Sequence, residues 1–294
     1  MGRDPKHDYK SRCIYHITMG KAAGCPVFSL VSGSIDQPVV TKTHIGKIIE
    51  SHILNLPKLC PSLQILQYVI MPDHIHIAIF VRETLPQSVG KYIAIMKVRS
   101  LQEIRALNTG ITDVFSPGFH DRRLRRCHKL KAIIEYIQKN PYRLLVRRYN
   151  PEYFKKINNI EIGGKLWQAY GNMQLLDNPF KGPVVIHRSD SEALVMAKWG
   201  RWRHLAENGG VLVSPFISQH EKMVRGMCEK VDGKVILLVN KPFGEREKPA
   251  AHDFELCAKG KLLILAPMTE LPSGRETFLY LNSIAETIAL PREG

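Results

Sequence analysis

No apolar run in this chain approaches the roughly 18 residues needed to cross a bilayer, so a membrane-spanning helix is not expected. The start, Met1-Gly2-Arg3-Asp4-Pro5-Lys6, lacks the apolar core of a signal peptide, and Gly2 lacks the downstream Ser or Thr that myristoylation requires. A cytosolic protein is the expectation. The six cysteines (Cys13, Cys25, Cys60, Cys127, Cys228, Cys257) include no Cys-x-x-Cys pair, which argues against a zinc knuckle or a disulfide framework and for free thiols. There is no internal repeat, no low-complexity segment and, in the second half, no Gly-rich dinucleotide fingerprint.

Acidic residues are scarce on one side only. Residues 1–160 hold 25 Lys and Arg against 11 Asp and Glu, a net +14, while residues 161–294 hold 17 against 16, a net +1. So lopsided a split points to a polyanionic partner, nucleic acid above all, for the first half alone. A length of 294 residues with 44% apolar content suggests two domains with real cores, here 1–160 and 161–294.

What is present centres on Asp73-His74-Ile75-His76-Ile77, inside the apolar run Tyr68 to Val81. On a β-strand alternate side chains share a face, so His74 and His76 project side by side, about 7 Å apart along the strand. Two such imidazoles can share a metal ion, or they can simply be two hydrogen-bonded histidines of a half-buried strand. A complement lies in Ala132 to Pro141, where Ile133, Tyr136, Ile137 and Asn140 fall on one helical face at i, i+3, i+4 and i+7. That face should pack on the sheet, yet it presents a phenol and a carboxamide. Tyr136 can be a core aromatic, and Asn140 ahead of Pro141 can be a helix cap.

The first half alternates strands and helices: a strand over Cys13–Met19, a helix over Thr43–Leu54 and one or two strands over Leu63–Val81, broken at Pro72-Asp73. A helix to about Leu107, a short extended segment over Val114–Leu124 and helices on either side of Pro141 complete it. This predicts an α+β fold, an antiparallel sheet with packed helices. Residues 157–178 read as a junction rich in turn chemistry, with Gly163-Gly164, Gly171-Asn172 and Asp177-Asn178-Pro179. Past it the rhythm is β–α–β–α–β, with capping boxes at Ser189–Glu192 and Ser218–Glu221 and continuous apolar strands at Lys234–Val239 and Lys261–Leu265. A Rossmann-like α/β domain is expected there, with anion sites at Ser218 and at Ser273-Gly274, where helices begin beyond strand ends.

Met71-Pro72-Asp73-His74-Ile75-His76 followed by Tyr136-Ile137-Gln138-Lys139-Asn140-Pro141 resembles the His-hydrophobic-His single-tyrosine transposases, in particular the REP-associated branch. The resemblance covers roughly residues 10–150 and extends to Tyr15-His16-Ile17-Thr18 and Gly118-Phe119-His120-Asp121-Arg122. The chain departs from that pattern after Asn140-Pro141, where it reads Tyr142-Arg143-Leu144-Leu145. The resemblance implies a ferredoxin- or RRM-like HUH fold, with Tyr136 as nucleophile and His74, His76 and Asn140 as ligands of Mg²⁺ or Mn²⁺. It also implies a bacterial, cytoplasmic enzyme: a single-stranded DNA endonuclease and strand transferase that acts on hairpin-containing DNA through a 5′-phosphotyrosine. Arg122, Arg123, Arg125 and Arg126, with Lys139 and Arg143, are the expected phosphate contacts, since guanidinium forks suit phosphate. The competing expectation is a non-catalytic DNA-binding or regulatory protein that keeps the fold, with a nucleotide sensed by the second domain. The second half faintly resembles nucleotide-binding domains of the DNA-processing and lysine-decarboxylase-like proteins, which leaves a nucleotide ligand or a purely structural role open.

Overall fold

The computed structural model describes residues 7–108, 110–124, 129–187, 189–244, 249 and 251–290. The fold is mixed, with antiparallel sheet and helices, and the chain divides into two compact units, Met1–Val146 and Arg147–Gly294.

The first unit begins with strand β1 (Cys13–Gly20), followed by a hairpin of β2 (Ser29–Gly33) and β3 (Pro38–Lys42). Helix α1 (His44–Leu54) is capped by the Thr43 hydroxyl, which accepts from the Gly46 amide, and the short helix α2 (Leu56–Leu59) follows. Strands β4 (Leu63–Ile70) and β5 (His74–Val81) are joined at Pro72-Asp73, where the Met71 amide donates to the His74 carbonyl at 2.8 Å. Helix α3 (Val89–Ala106), strand β6 (His120–Leu124) and helices α4 (Lys129–Gln138) and α5 (Asn140–Tyr149) complete the set. The sheet order is β4-β5-β1-β6, all antiparallel.

Alternation divides that sheet into two chemistries. Ile75, Ile77, Ile79 and Val81 of β5 and Tyr15, Ile17 and Met19 of β1 are fully buried, against Ile49 and Ile53 of α1 and Ile93 and Met96 of α3. Each such aliphatic side chain stabilises the fold by about 1.5–3 kcal/mol. The same residues fix the register: a one-residue slip of β5 would drive His74 and His76 into the core. The opposite face is covered by α4, which packs on β4 and β5 through the fully buried Ile137.

The second unit holds a six-stranded sheet in the order β7-β8-β12-β11-β10-β9. Its strands are β7 (Lys156–Ile162), β8 (Lys165–Gly171), β9 (Lys181–Pro183), β10 (Val211–Ser214), β11 (Lys234–Leu238) and β12 (Leu262–Pro267). Strands β9 to β12 are parallel, linked in turn by α6 (Glu192–Glu207), α7 (Gln219–Lys230) and α8 (Ala251–Ala258), and α9 (Arg275–Ala289) follows β12. Helices α6 to α8 bury Trp202, Val224, Cys228 and Cys257 on one face of the sheet. Helix α9 buries Leu281, Ile284, Ala285 and Ile288 on the other.

The expected junction at residues 157–178 is instead mostly sheet. Gly163 and Gly164, at φ 58° and 72°, form the two-residue turn of a β7–β8 hairpin, a conformation that glycine enters without steric cost. Strand β8 then pairs antiparallel with β12, ending at Gly171, where a Cβ would sit 2.2 Å from the Leu262 carbonyl. The change of unit falls at Val146, ahead of β7, rather than at residue 160, because β7 pairs with β8. The β2–β3 hairpin was not expected. Among the described residues no helix is long and apolar enough to cross a membrane.

Candidate active site

His74 and His76 project from β5 onto the face that α4 covers, with ring centroids 4.7 Å apart and planes at 79°. The two rings differ in exposure: the His74 side chain is partly open, whereas His76 is buried. The His74 Nδ1 faces the Asp73 carboxylate at 2.6 Å. A carboxylate only accepts, so Nδ1 carries the proton there, and Nε2 is the nitrogen left without that partner.

Strand β1 supplies the partners of His76. Its register sets Thr18 directly opposite His76, and the Thr18 hydroxyl lies 2.9 Å from the His76 Nδ1. The Nε2 of His16, two residues earlier on the same face, lies 3.1 Å from that nitrogen. Burial, and next the charges that His74 and His16 would carry, push the His76 imidazole down to about 3. Burial, and next the Arg122 guanidinium, push His16 down to about 4. Both are therefore neutral at pH 7.

Tyr136 approaches from α4, edge-on to both rings, with centroids 5.4 Å from His76 and 5.9 Å from His16. At 37% exposure its ring is held by the site yet reachable from solvent. Asn140 is buried one turn later and donates its Nδ2 to the Tyr136 carbonyl at 2.8 Å, which leaves its Oδ1 as an acceptor. The Arg143 guanidinium lies over the Tyr136 ring, 5.7 Å from its centroid. The expected helical face is thus present: Ile137 and Asn140 are buried, Ile133 is half-buried and Tyr136 lies at the rim.

Two imidazoles side by side could share a divalent ion. Each imidazole has its Nδ1 engaged by a neighbour, as metal-binding histidines do, with Nε2 remaining. Among the described residues no group of three His, Cys, Asp or Glu is placed to hold a metal ion. A third protein ligand would have to come from outside those residue types.

No family model matches the chain. A protein of Haemophilus influenzae, itself uncharacterised, is 25% identical to it over 157 residues, which cover 46% of this chain and 83% of that one. Among solved structures the chain is similar to a REP-associated tyrosine transposase bound to a REP hairpin. That likeness has a TM-score of 0.37 at 14% identity and covers 48% of this chain and 73% of that one. It is also similar to DNA processing protein A of Helicobacter pylori, solved for its single-stranded DNA binding mode, with a TM-score of 0.33 at 18% identity over 47% of this chain and 67% of that one.

The arginine cluster does not act as a block. Arg122 pairs with His16 across β1–β6, so it stands on the site face, and it is exposed. Arg123 pairs with Tyr15, which turns it to the opposite face, where its guanidinium meets the His7 ring. A strand alternates its side chains, so two consecutive arginines cannot serve one surface. Arg125 and Arg126 lie outside the described residues. Lys139 is exposed at the α4–α5 turn.

In the second unit Ser218 and Gly274 both line an open cleft of about 650 Å³, with Arg275, Phe278 and Asn282 on its wall. The start of α7 is not a vacant anion site, however. The buried Glu221 carboxylate accepts from the amides of Ile217 (2.8 Å) and Ser218 (2.9 Å), and the Ser218 hydroxyl accepts from the Glu221 amide. The chain's own carboxylate already fills the role expected of a ligand. Gly274 caps α9 at φ 138° with no side-chain bond, and Ser273 is exposed beside it.

The sequence reading missed His16 and Thr18 as site residues. Their signal was available: Tyr15-His16-Ile17-Thr18 alternates apolar and polar, which places His16 and Thr18 together on the face opposite the core.

Proposed function

We propose that the first unit is a metal-dependent, single-stranded DNA endonuclease and strand transferase of transposase type, acting through Tyr136 on hairpin-containing DNA. The observation that carries this reading is the convergence of His74, His76 and Tyr136 from one strand and one helix, with the His76 and Tyr136 rings 5.4 Å apart. The four-stranded antiparallel sheet with helices on both faces is consistent with an HUH fold, and the α/β/α layering of the second unit with a Rossmann-like one.

The Tyr136 hydroxyl attacks the scissile phosphorus. An O–P bond forms to the tyrosine, the bond to the 3′-oxygen breaks, the phenol gives up its proton and the leaving 3′-oxygen gains one. One phosphodiester replaces another, so rejoining is the reverse attack and needs no ATP. Mg²⁺ or Mn²⁺ held by His74, His76 and Asn140 would supply the charge that offsets the developing negative charge on the phosphate oxygens. Asp73, His16 and Thr18 hold the imidazoles in place, while Arg122 and Arg143 put positive charge beside the site, which suits a phosphodiester backbone. Neutral ligands leave the ion's charge largely available to the substrate.

A second reading, a non-catalytic DNA-binding or regulatory protein whose second unit senses a nucleotide, is favoured by the lack, among the described residues, of a carboxylate or third imidazole placed to complete the ligand set. Incubation of the full chain with hairpin oligonucleotides and Mn²⁺ or Mg²⁺, resolved on a denaturing gel, separates the two. The nuclease forms a covalent protein–DNA adduct that Tyr136→Phe abolishes. Retained binding with no adduct on any substrate or metal would leave only the second reading.

A further inference from the structure

His76 is buried, and a neutral imidazole can ligate through Nε2 only if its proton sits on Nδ1. For His74 the choice is made by Asp73, a carboxylate that can only accept. The Nδ1 of His76 meets the Thr18 hydroxyl at 2.9 Å and the His16 Nε2 at 3.1 Å. A hydroxyl donates or accepts with equal ease, so Thr18 is compatible with either tautomer. An imidazole nitrogen does not have that freedom. When the Nε2 of His16 is bare it accepts the His76 proton, and when it carries hydrogen it forces that proton onto the His76 Nε2, where the ring can no longer ligate.

We propose that His16 is a positioning residue: its bare Nε2 holds the His76 proton on Nδ1 and so keeps the His76 Nε2 open for the metal. This rests on the metal-site reading above. His16 is suited to the task because β1 is hydrogen-bonded on both edges, to β5 and to β6, which fixes its backbone relative to β5. Its ring also lies edge-on to Tyr136, so side chains on both flanks restrict its rotation.

The test is long-range proton–nitrogen NMR of the metal-free full chain labelled in histidine, with Mn²⁺ titrations run beside it. His76 is expected to be protonated on Nδ1 in the wild type. In His16→Phe, which keeps a flat ring and removes the acceptor, His76 moves toward the Nε2-protonated form and Mn²⁺ affinity falls about 10–100-fold. In His16→Gln, whose amide oxygen can accept, the Nδ1 proton is retained and the loss is about threefold or less, well below that typical of a removed outer partner. A wild-type His76 protonated on Nε2 overturns the proposal, and that spectrum decides even if His16→Phe does not fold. An unchanged tautomer and affinity in a folded His16→Phe also overturns it. The functional reading fails separately: a His16-dependent tautomer in a protein that forms no DNA adduct keeps the positioning role and removes the nuclease. An adduct undiminished in His16→Phe at limiting Mn²⁺ does the reverse.

Discussion

Acidification should loosen the first unit through two imidazoles, the buried His76 and the half-buried His16. His16 and His76 titrate near 4 and 3 in the folded chain against 6.5 for an ordinary histidine. Below pH 6.5 the unfolded chain therefore takes up protons that the folded site refuses, and stability falls as pH drops, down to the folded values. From pH 7 to pH 5 each imidazole contributes a loss of about 2 kcal/mol, so the pair sets a ceiling of about 4 kcal/mol. The measurement is guanidinium unfolding with EDTA present, on the wild type and on His16→Gln/His76→Gln, at both pH values. All three tryptophans (Trp167, Trp199, Trp202) lie in the second unit, so their fluorescence serves as an internal control while circular dichroism follows the whole chain. The wild type should lose more than the variant, by up to about 4 kcal/mol, in the circular dichroism transition of the first unit, with no such difference in the fluorescence transition. Equal losses in the two proteins would refute the neutral pair.

Other outcomes follow from the same geometry. Arg122→Gln and Arg143→Gln should each weaken single-stranded DNA binding across sequences and reduce the salt slope by about 0.7, one phosphate contact apiece, whereas Arg123→Gln, on the far face, should leave the slope unchanged. Glu221→Ala removes the acceptor of two amides at the start of α7 and should cost the second unit about 1–3 kcal/mol, read as a shift in its tryptophan unfolding transition. Ile77→Ala, at a fully buried position between the histidine strand and its core, should cost the first unit about 2–5 kcal/mol in chemical unfolding.

The sequence was most legible where its periodicity was strongest. The alternation of β5 and the i, i+4 pairing of Tyr136 with Asn140 placed the histidines on one face of the strand and the phenol on a helical face, and the His76 and Tyr136 rings lie 5.4 Å apart. The Pro72-Asp73 break correctly separated β4 from β5, since a tight turn needs little else. Partners set by strand pairing were hidden. Thr18 and His16 lie about sixty residues from His76, and only the β1–β5 register brings them to it. Turn chemistry also misled. Gly163-Gly164 reads equally as a linker or a hairpin tip, and only the pairing of β7 with β8 decides. The run of arginines was read as a patch because composition ignores strand alternation, which sends Arg122 and Arg123 to opposite faces. At Ser218 the capping box was legible, but its consequence was not: Glu221 satisfies the amides proposed for an external anion.

The most direct measurement is mass spectrometry of the protein after reaction with a hairpin oligonucleotide and Mn²⁺, followed by nuclease trimming and trypsin. Cleavage after Lys131 and Lys139 releases the peptide Ala132–Lys139, which contains one tyrosine. The expected result is that peptide carrying a nucleotide mass on Tyr136, present with Mn²⁺ and absent with EDTA. A nucleotide on any other residue, or an adduct that survives in Tyr136→Phe, would contradict the assignment of Tyr136 as the nucleophile.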